Sequence, residues 1–193
     1  MKIVKLSLVI VLSILSCVLY SQEHLKFKGI PIDGTVDPFV RKLVDSGCQI
    51  LIAGGKNEST FLKGEFVNKQ CTIAVAGTQK TNTVCSIIVF LPTETNWSNI
   101  KNDYLKLKQQ FQQKYGIGES DEYFSEPYCD GDGREMRALE LNKCTYKTLF
   151  FADEGTILFV INPSIKAISI CYGDRINMEL REKEETEIIH NDI

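Results

Sequence analysis

The spacing of apolar residues predicts a first helix early in the chain. Phe39, Val40 and Leu43 recur at helical intervals and form one apolar face. Pro38 suits the first turn, where its missing N–H leaves no hydrogen bond unmade, and Gly47 suits a left-handed residue after the last turn. The pattern therefore predicts an amphipathic helix bounded at both ends.

A second helix has the clearest pattern in the sequence. Its apolar positions recur every three or four residues: Trp97, Ile100, Tyr104, Leu107, Phe111 and Tyr115. Thr95 or Asn96 can cap its start, and Gly116 can end it. An aromatic stripe of this spacing is typical of a helix face that packs against a sheet.

Two groups of short strands follow the helices. After the first helix, period-two patterns predict strands at 50–52, 61–67, 71–76 and 83–91. After the second helix comes a polar, acidic loop at 118–133, and strands are then predicted at 135–141, 144–151, 156–161 and 167–172. The expected fold class is α+β, with antiparallel sheet and two main helices.

This order of elements suggests one α+β domain over residues 23–173. Each half contains a helix and three or four strands, which favours tandem helix-plus-sheet units at 23–92 and 93–173. Residues 174–193 are rich in charge, and they are expected to form a solvated tail or fraying helix attached through Ile176 and Leu180.

The first 22 residues have the layout of a secretory signal peptide. Lys2 and Lys5 precede an apolar run at 6–19, and a small residue, Ser21, precedes the expected cleavage point. Cys17 closes a segment that approximates a lipoprotein box, so lipidation there is an alternative, and an uncleaved anchor is a third. Export to the periplasm or medium is expected, with an outer-membrane lipoprotein as the alternative.

Charge and motifs exclude several classes of function. The formal net charge is −3 and the lysines are scattered, so no basic surface for nucleic acid is predicted. No glycine-rich phosphate loop follows a predicted strand, which argues against nucleotide binding. No cofactor is therefore predicted.

The cysteines leave two interpretations open. The chain has seven, and without Cys17 six remain, an even number that permits disulfides in an exported protein. If a hairpin turn centres near Thr78, Cys71 and Cys85 lie opposite one another and can form a cross-strand bridge. Buried free thiols are the alternative. The absence of a C-x-x-C pair argues against a metal site.

Catalytic chemistry has few candidate residues. The two histidines, His24 and His190, lie outside the predicted core, so neither a Ser-His-Asp site nor a zinc site is expected. The acidic loop offers Asp130, Asp132 and Glu135 as weak candidates for carboxylate catalysis. The chain is accordingly expected not to be an enzyme.

The segment that starts at Asp130 is similar to the beginning of a calcium loop but does not complete one. A helical calcium loop needs an oxygen ligand at its fifth position and a glutamate at its twelfth, where this chain has Arg134 and Leu141. A turn rich in small polar residues explains the segment instead.

Several segments resemble a group of uncharacterised exported proteins of Bacteroides-type bacteria. The most specific is the opening segment HLKFKGIPIDGT at 24–35, and 143–146 and 170–177 are similar to further landmarks of that group. The resemblance implies an envelope or secreted location and no established activity. More loosely, the order of elements looks like that of β-lactamase inhibitor proteins and small outer-membrane assembly lipoproteins, which bind other proteins.

The leading hypothesis is an exported, non-catalytic module that binds an unknown protein partner. A small carboxylate-dependent hydrolase and a structural envelope lipoprotein are the alternatives.

Overall fold

The computed structural model describes residues 23–55 and 57–192. The predicted signal peptide at 1–22 and the candidate lipidation at Cys17 lie outside the described residues. Within the described ranges, no helix is both long enough and apolar enough to cross a membrane.

The described residues form ten strands and four helices. In chain order the elements are β1 Lys26–Phe27, β2 Ile30–Pro31, α1 Val36–Asp45, β3 Gln49–Ile52, β4 Thr60–Phe66, β5 Lys69–Gly77, β6 Val84–Phe90, α2 Trp97–Tyr115, β7 Glu119–Phe124, α3 Glu135–Glu140, β8 Cys144–Ala152, β9 Gly155–Asn162, β10 Ala167–Asp174 and α4 Arg175–Asp192.

Eight of the strands form one sheet in the order β3-β4-β5-β6-β10-β9-β8-β7, and every neighbouring pair is antiparallel. Strands β1 and β2 form a separate hairpin. The predicted α+β class with antiparallel sheet is confirmed.

Both predicted helices form, and they bury the faces that the sequence indicated. In α1, Phe39 and Leu43 are fully buried. In α2, Tyr104 is fully buried, and the ring of Phe111 lies 4.4 Å from the ring of Phe159 on β9. The side chain of Asn96 caps α2 by accepting a hydrogen bond from the Asn99 N–H at 3.2 Å.

Two elements after α2 differ from the prediction. The segment expected to be an acidic loop contains β7, an edge strand held by polar contacts such as Lys147 Nζ to Asp121 (2.9 Å) and Lys108 Nζ to Glu122 (2.6 Å). The segment expected to be a strand at 135–141 is the short helix α3, which buries Ala138 and Leu139. Both predictions were wrong because short segments give weak periodicity.

The charged C-terminal segment forms α4, and polar side chains attach it to the domain. Asn177 Nδ2 donates to the carbonyls of Ile32 (2.9 Å) and Val84 (2.8 Å). The fully buried carboxylate of Asp174 accepts from the Asn177 N–H at 3.0 Å, which caps the helix start. Ile176 and Leu180, the expected attachment points, are only half-buried.

The same Asp174 also holds the beginning of the described chain. Its carboxylate accepts from the Leu25 N–H at 2.8 Å and lies 3.1 Å from His24 Nδ1. His24 was expected outside the core, and it lies instead against a buried acid with 26% of its side chain exposed.

Candidate functional site: the open face of the sheet

The sheet has one face covered by helices and one largely uncovered face. Successive side chains of a strand point to opposite faces. Phe159 and Tyr172 contact Phe111 of α2 and so mark the helix-covered face. We call the opposite side the open face. Helix α4 covers one end of it, where Met178 lies next to Gly173.

One row of cross-strand neighbours on the open face is apolar throughout. The strand register joins Phe61, Ala74, Ile88, Cys171, Leu158 and Leu149 in sequence across six strands. Strands lie about 4.8 Å apart, so this apolar row spans about 24 Å. All its members except the buried Ala74 are partly exposed to solvent.

A second row runs parallel to the apolar row and ends in a lysine on each side. Its members are Lys63, Thr72, Phe90, Ser169, Val160 and Lys147. Within the described residues, the Ser169 hydroxyl is a buried side-chain polar atom without a hydrogen-bond partner. We call this set the lysine-bounded row.

A cavity of about 540 Å³ opens at one end of the lysine-bounded row. Lys63, Thr72 and Phe90 line it from that row, and Leu51 and Ile165 line it from neighbouring segments. Its volume lies within the range in which a cavity can take up an apolar side chain or a small ligand.

The two edges of the sheet differ in character. On β3, Ile50, Leu51 and Ile52 are 51%, 54% and 62% exposed. On β7 the exposed residues include Glu119 and Asp121. The acidic edge resists pairing with another strand through its charges, whereas the apolar edge beside the cavity has only its short length and the register shift between Ile50 and Ile52 to discourage pairing.

Burial disfavours ionisation of the two thiols at the α4 end of the open face, Cys85 and Cys171. Burial raises the pKa of Cys85, and the Arg181 guanidinium, which hydrogen bonds to its sulfur, offsets only part of that rise. Burial also raises the pKa of Cys171, and the nearby Cys85 adds to it. Both groups therefore remain protonated near neutral pH.

The register corrects the expected pairing of Cys71 with Cys85. Cys71 lies opposite Gly64 on β4, and Ala76 lies opposite Ser86, next to Cys85. Five residues, roughly 16 Å of strand, thus separate the two cysteines, well beyond disulfide reach. The expectation was wrong because the turn centres later than Thr78. The described cysteines are all free.

The first acidic-loop candidate, Asp130, is engaged by α2. Its carboxylate accepts from Trp97 Nε1 at 3.1 Å and from Lys101 Nζ. The Lys101 ammonium, followed by the Trp97 indole, lowers the pKa of Asp130. A general acid needs a raised pKa, so this environment favours a structural role.

Asp132 and Glu135 organise their own loop. Asp132 accepts from the backbone N–H groups of Arg134 (2.7 Å) and Cys129 (3.2 Å), and the Arg134 N–H lowers the pKa of Asp132. Glu135 accepts from the Gly131 N–H at 2.8 Å. The three candidates lie near one another, but each carboxylate contacts donors of the protein itself.

Neither a metal centre nor a relative supplies a function. Among the residues that the structure describes, no group of three or more His, Cys, Asp and Glu side chains could hold a metal ion. No protein-family model matches the chain, and no curated protein or solved structure that it was compared with matches either. Function has to be inferred from the geometry of the site.

Proposed function

We propose that this chain is an exported, non-catalytic protein-binding module and that the open face is its binding surface. The observation that carries the proposal is the apolar row, which exposes a band of aromatic and aliphatic side chains about 24 Å long. An exposed, contiguous apolar surface on a folded domain is typical of an interaction site.

The composition of the open face fits a protein partner. Phe61 and Phe90 are half-buried and Phe151 is 54% exposed, so aromatic side chains are available as anchors. Lys63 and Lys147 border the apolar centre, as polar residues border the core of protein interfaces. The cavity beside Phe90 can accept an apolar side chain of the partner.

We further propose that residues 23–92 and 93–173 are tandem helix-plus-sheet units. Helix α1 precedes β3 to β6, and α2 precedes β7 to β10. The last strands of the two halves, β6 and β10, pair at the centre of the sheet. Such an arrangement would place half of the open face on each unit.

The proposed location depends on the amino-terminal pattern alone. A basic start, a short apolar run and a small residue before the cut support export. Metabolic labelling with a fatty acid separates cleavage after Ser21 from lipidation, because a Cys17→Ser variant loses label only if Cys17 is modified.

Site-specific photocrosslinking in the native host tests the binding surface. A photoreactive amino acid would replace Val160 or Phe151 on the open face, and a matched control would replace Leu105, which is 39% exposed on α2. The proposal predicts the same crosslinked protein from both open-face positions and none from position 105. Crosslinks from all three positions alike, or only from position 105, would contradict it.

A further inference from the structure

A second cavity, of about 300 Å³, lies on the helix-covered side of the sheet, away from the open face. Three segments surround it. They are the β1–β2 hairpin with Lys28 and Gly29, the β4–β5 turn with Phe66 and Val67, and the last two turns of α2. At roughly 30 Å³ per non-hydrogen atom, it holds a molecule of about ten such atoms.

Aromatic rings form the floor of this cavity. Phe66, Phe111, Tyr115 and Tyr172 line it. The ring of Phe111 lies 5.7 Å from Tyr115 and 6.4 Å from Tyr172, so the rings form one continuous apolar surface. A ligand with an apolar body would be desolvated here.

Three lysines lie at the rim, and among the described residues no carboxylate lines the cavity. Lys114 lies over the Tyr115 ring at 4.8 Å, and Lys28 donates to the carbonyl oxygen of Glu65 at 3.1 Å. The charge of Lys26 is partly compensated by Glu23, whose carboxylate lies 3.7 Å from Lys26 Nζ. The local charge therefore favours an anion.

The hydroxyl of Tyr172 supplies a second polar contact inside the cavity. Tyr172 is 4% exposed, and the structure shows no hydrogen bond to its hydroxyl from the described residues. Burial, and then Tyr115, raises its pKa, so it is available as a donor.

The turn on one side of the cavity is strained. Val67 has a φ of 46°, a left-handed conformation that is rare for a β-branched residue. Asn68 beside it is also left-handed (φ 62°), and Phe66 pairs with Lys69, so the two residues form the two-residue hairpin turn that joins β4 to β5. The Val67 side chain is 43% exposed and lines the cavity.

From these contacts we infer that the cavity, which we call the lysine-rimmed cavity, binds a small amphipathic carboxylate such as a medium-chain fatty acid. The apolar body packs against Phe66, Phe111 and Tyr115. The carboxylate accepts a hydrogen bond from Tyr172 and is neutralised by Lys28 and Lys114. This site does not depend on protein binding at the open face.

Calorimetric titration of the purified protein with octanoate tests the inference, with octan-1-ol and octylammonium as matched probes. Octanoate is expected to bind with a Kd of about 1 mM or tighter, and octan-1-ol at least about ten-fold more weakly. Octylammonium is expected not to bind, because it brings a like charge to the lysines.

Variants assign the binding to this cavity. Tyr172→Phe and Lys114→Gln should each weaken octanoate binding by about three-fold to ten-fold. Lys114→Gln should leave octan-1-ol unchanged, whereas Tyr172→Phe should weaken octan-1-ol less than octanoate, because the alcohol oxygen also accepts a hydrogen bond. Lys106→Gln, at an exposed position of the same helix as Lys114 that lines neither cavity, is the control and should leave both unchanged. Circular dichroism checks that each variant is folded; if Tyr172→Phe is not, the Lys28→Gln and Lys114→Gln double variant takes its place. Equal affinity for octanoate and octan-1-ol, no binding of octanoate, or equal losses in the Lys106→Gln control would overturn the inference.

Discussion

Glu184 shows how a single buried carboxylate fixes one element to another. It is 4% exposed and accepts hydrogen bonds from the Thr78 hydroxyl (3.1 Å), the Lys80 N–H (2.6 Å) and the Thr81 hydroxyl (2.7 Å). Desolvation opposes ionisation, but these donors outweigh it and hold the pKa of Glu184 below its ordinary value. The β5–β6 turn is thereby joined to α4.

Replacing Glu184 should therefore destabilise the protein in a pH-dependent way. Glu184→Gln loses charge-assisted hydrogen bonds, and the free energy of unfolding near pH 7 should fall by about 2 kcal/mol. A lowered folded-state pKa means that the contribution is complete above the unfolded-state value and is lost as the pH falls through the folded-state value. The difference between wild type and variant should shrink below about pH 4.5.

Urea unfolding at several pH values measures this effect. Glu179→Gln is the matched control, because Glu179 is exposed on the same helix. A constant difference across the acidic range, or an equal loss in the control, would show that the Glu184 charge does not hold α4.

Ser169 gives a prediction of opposite sign. Its hydroxyl is buried in the lysine-bounded row without a partner among the described residues. Because Ser169→Ala removes an unsatisfied group, the free energy of unfolding of the isolated protein should stay unchanged or rise by up to about 1 kcal/mol. Thermal unfolding tests this prediction. A clear destabilisation would mean that the Ser169 hydroxyl hydrogen bonds to water or to another part of the chain.

At the scale of elements, strongly periodic segments could be predicted and polar ones could not. The apolar stripe of α2 and its Asn96 cap were sufficient to place that helix. The strand β7 has exposed residues along nearly its whole length, so no alternation marks it. In α3, Met136 and Leu139 are three positions apart within only six residues, too short a segment to separate helix from strand.

The attachment of α4 could not be predicted for a related reason. Its buried residues are the polar Asn177 and Glu184, whereas sequence patterns detect apolar faces. The element is therefore expected to depend on individual hydrogen bonds.

Asn177→Ala tests that dependence. The change leaves the carbonyls of Ile32 and Val84 without their donor, so amide hydrogen exchange in α4 should accelerate at least about ten-fold relative to α2. Asn191→Ala, near the end of the same helix, is the control. Unchanged protection of α4 in Asn177→Ala would contradict polar attachment.

At the scale of the whole molecule, the sequence could place residues on a common face but could not show which face remains uncovered. Period two assigns Ile88 and Phe90 to one side of β6 and Val89 to the other. Only the packing of α1 and α2 determines that Val89 is buried and that Ile88 and Phe90 stay accessible. The strand register, which joins six strands into the apolar row, is likewise a property of the folded chain.

Burial, together with the strand register, predicts that the six described cysteines are free thiols of unequal reactivity. Burial raises the pKa of Cys71 to about 11 and that of Cys144 to about 12, whereas Cys129 is exposed. In a chain without residues 1–22, thiol titration should label Cys129 rapidly in the folded protein and all six cysteines after unfolding. Fewer than six reactive thiols after unfolding would reveal a disulfide.

The most direct test of the account is the affinity of the crosslinked partner, once purified, for open-face variants. Leu149→Lys and Val160→Lys place a charge in the apolar row and the lysine-bounded row, and each should weaken binding by about 30-fold or more. Leu105→Lys, on α2, should change the Kd by less than about two-fold. Wild-type affinity in both open-face variants, or an equal loss with Leu105→Lys, would contradict the assignment of the open face as the binding surface.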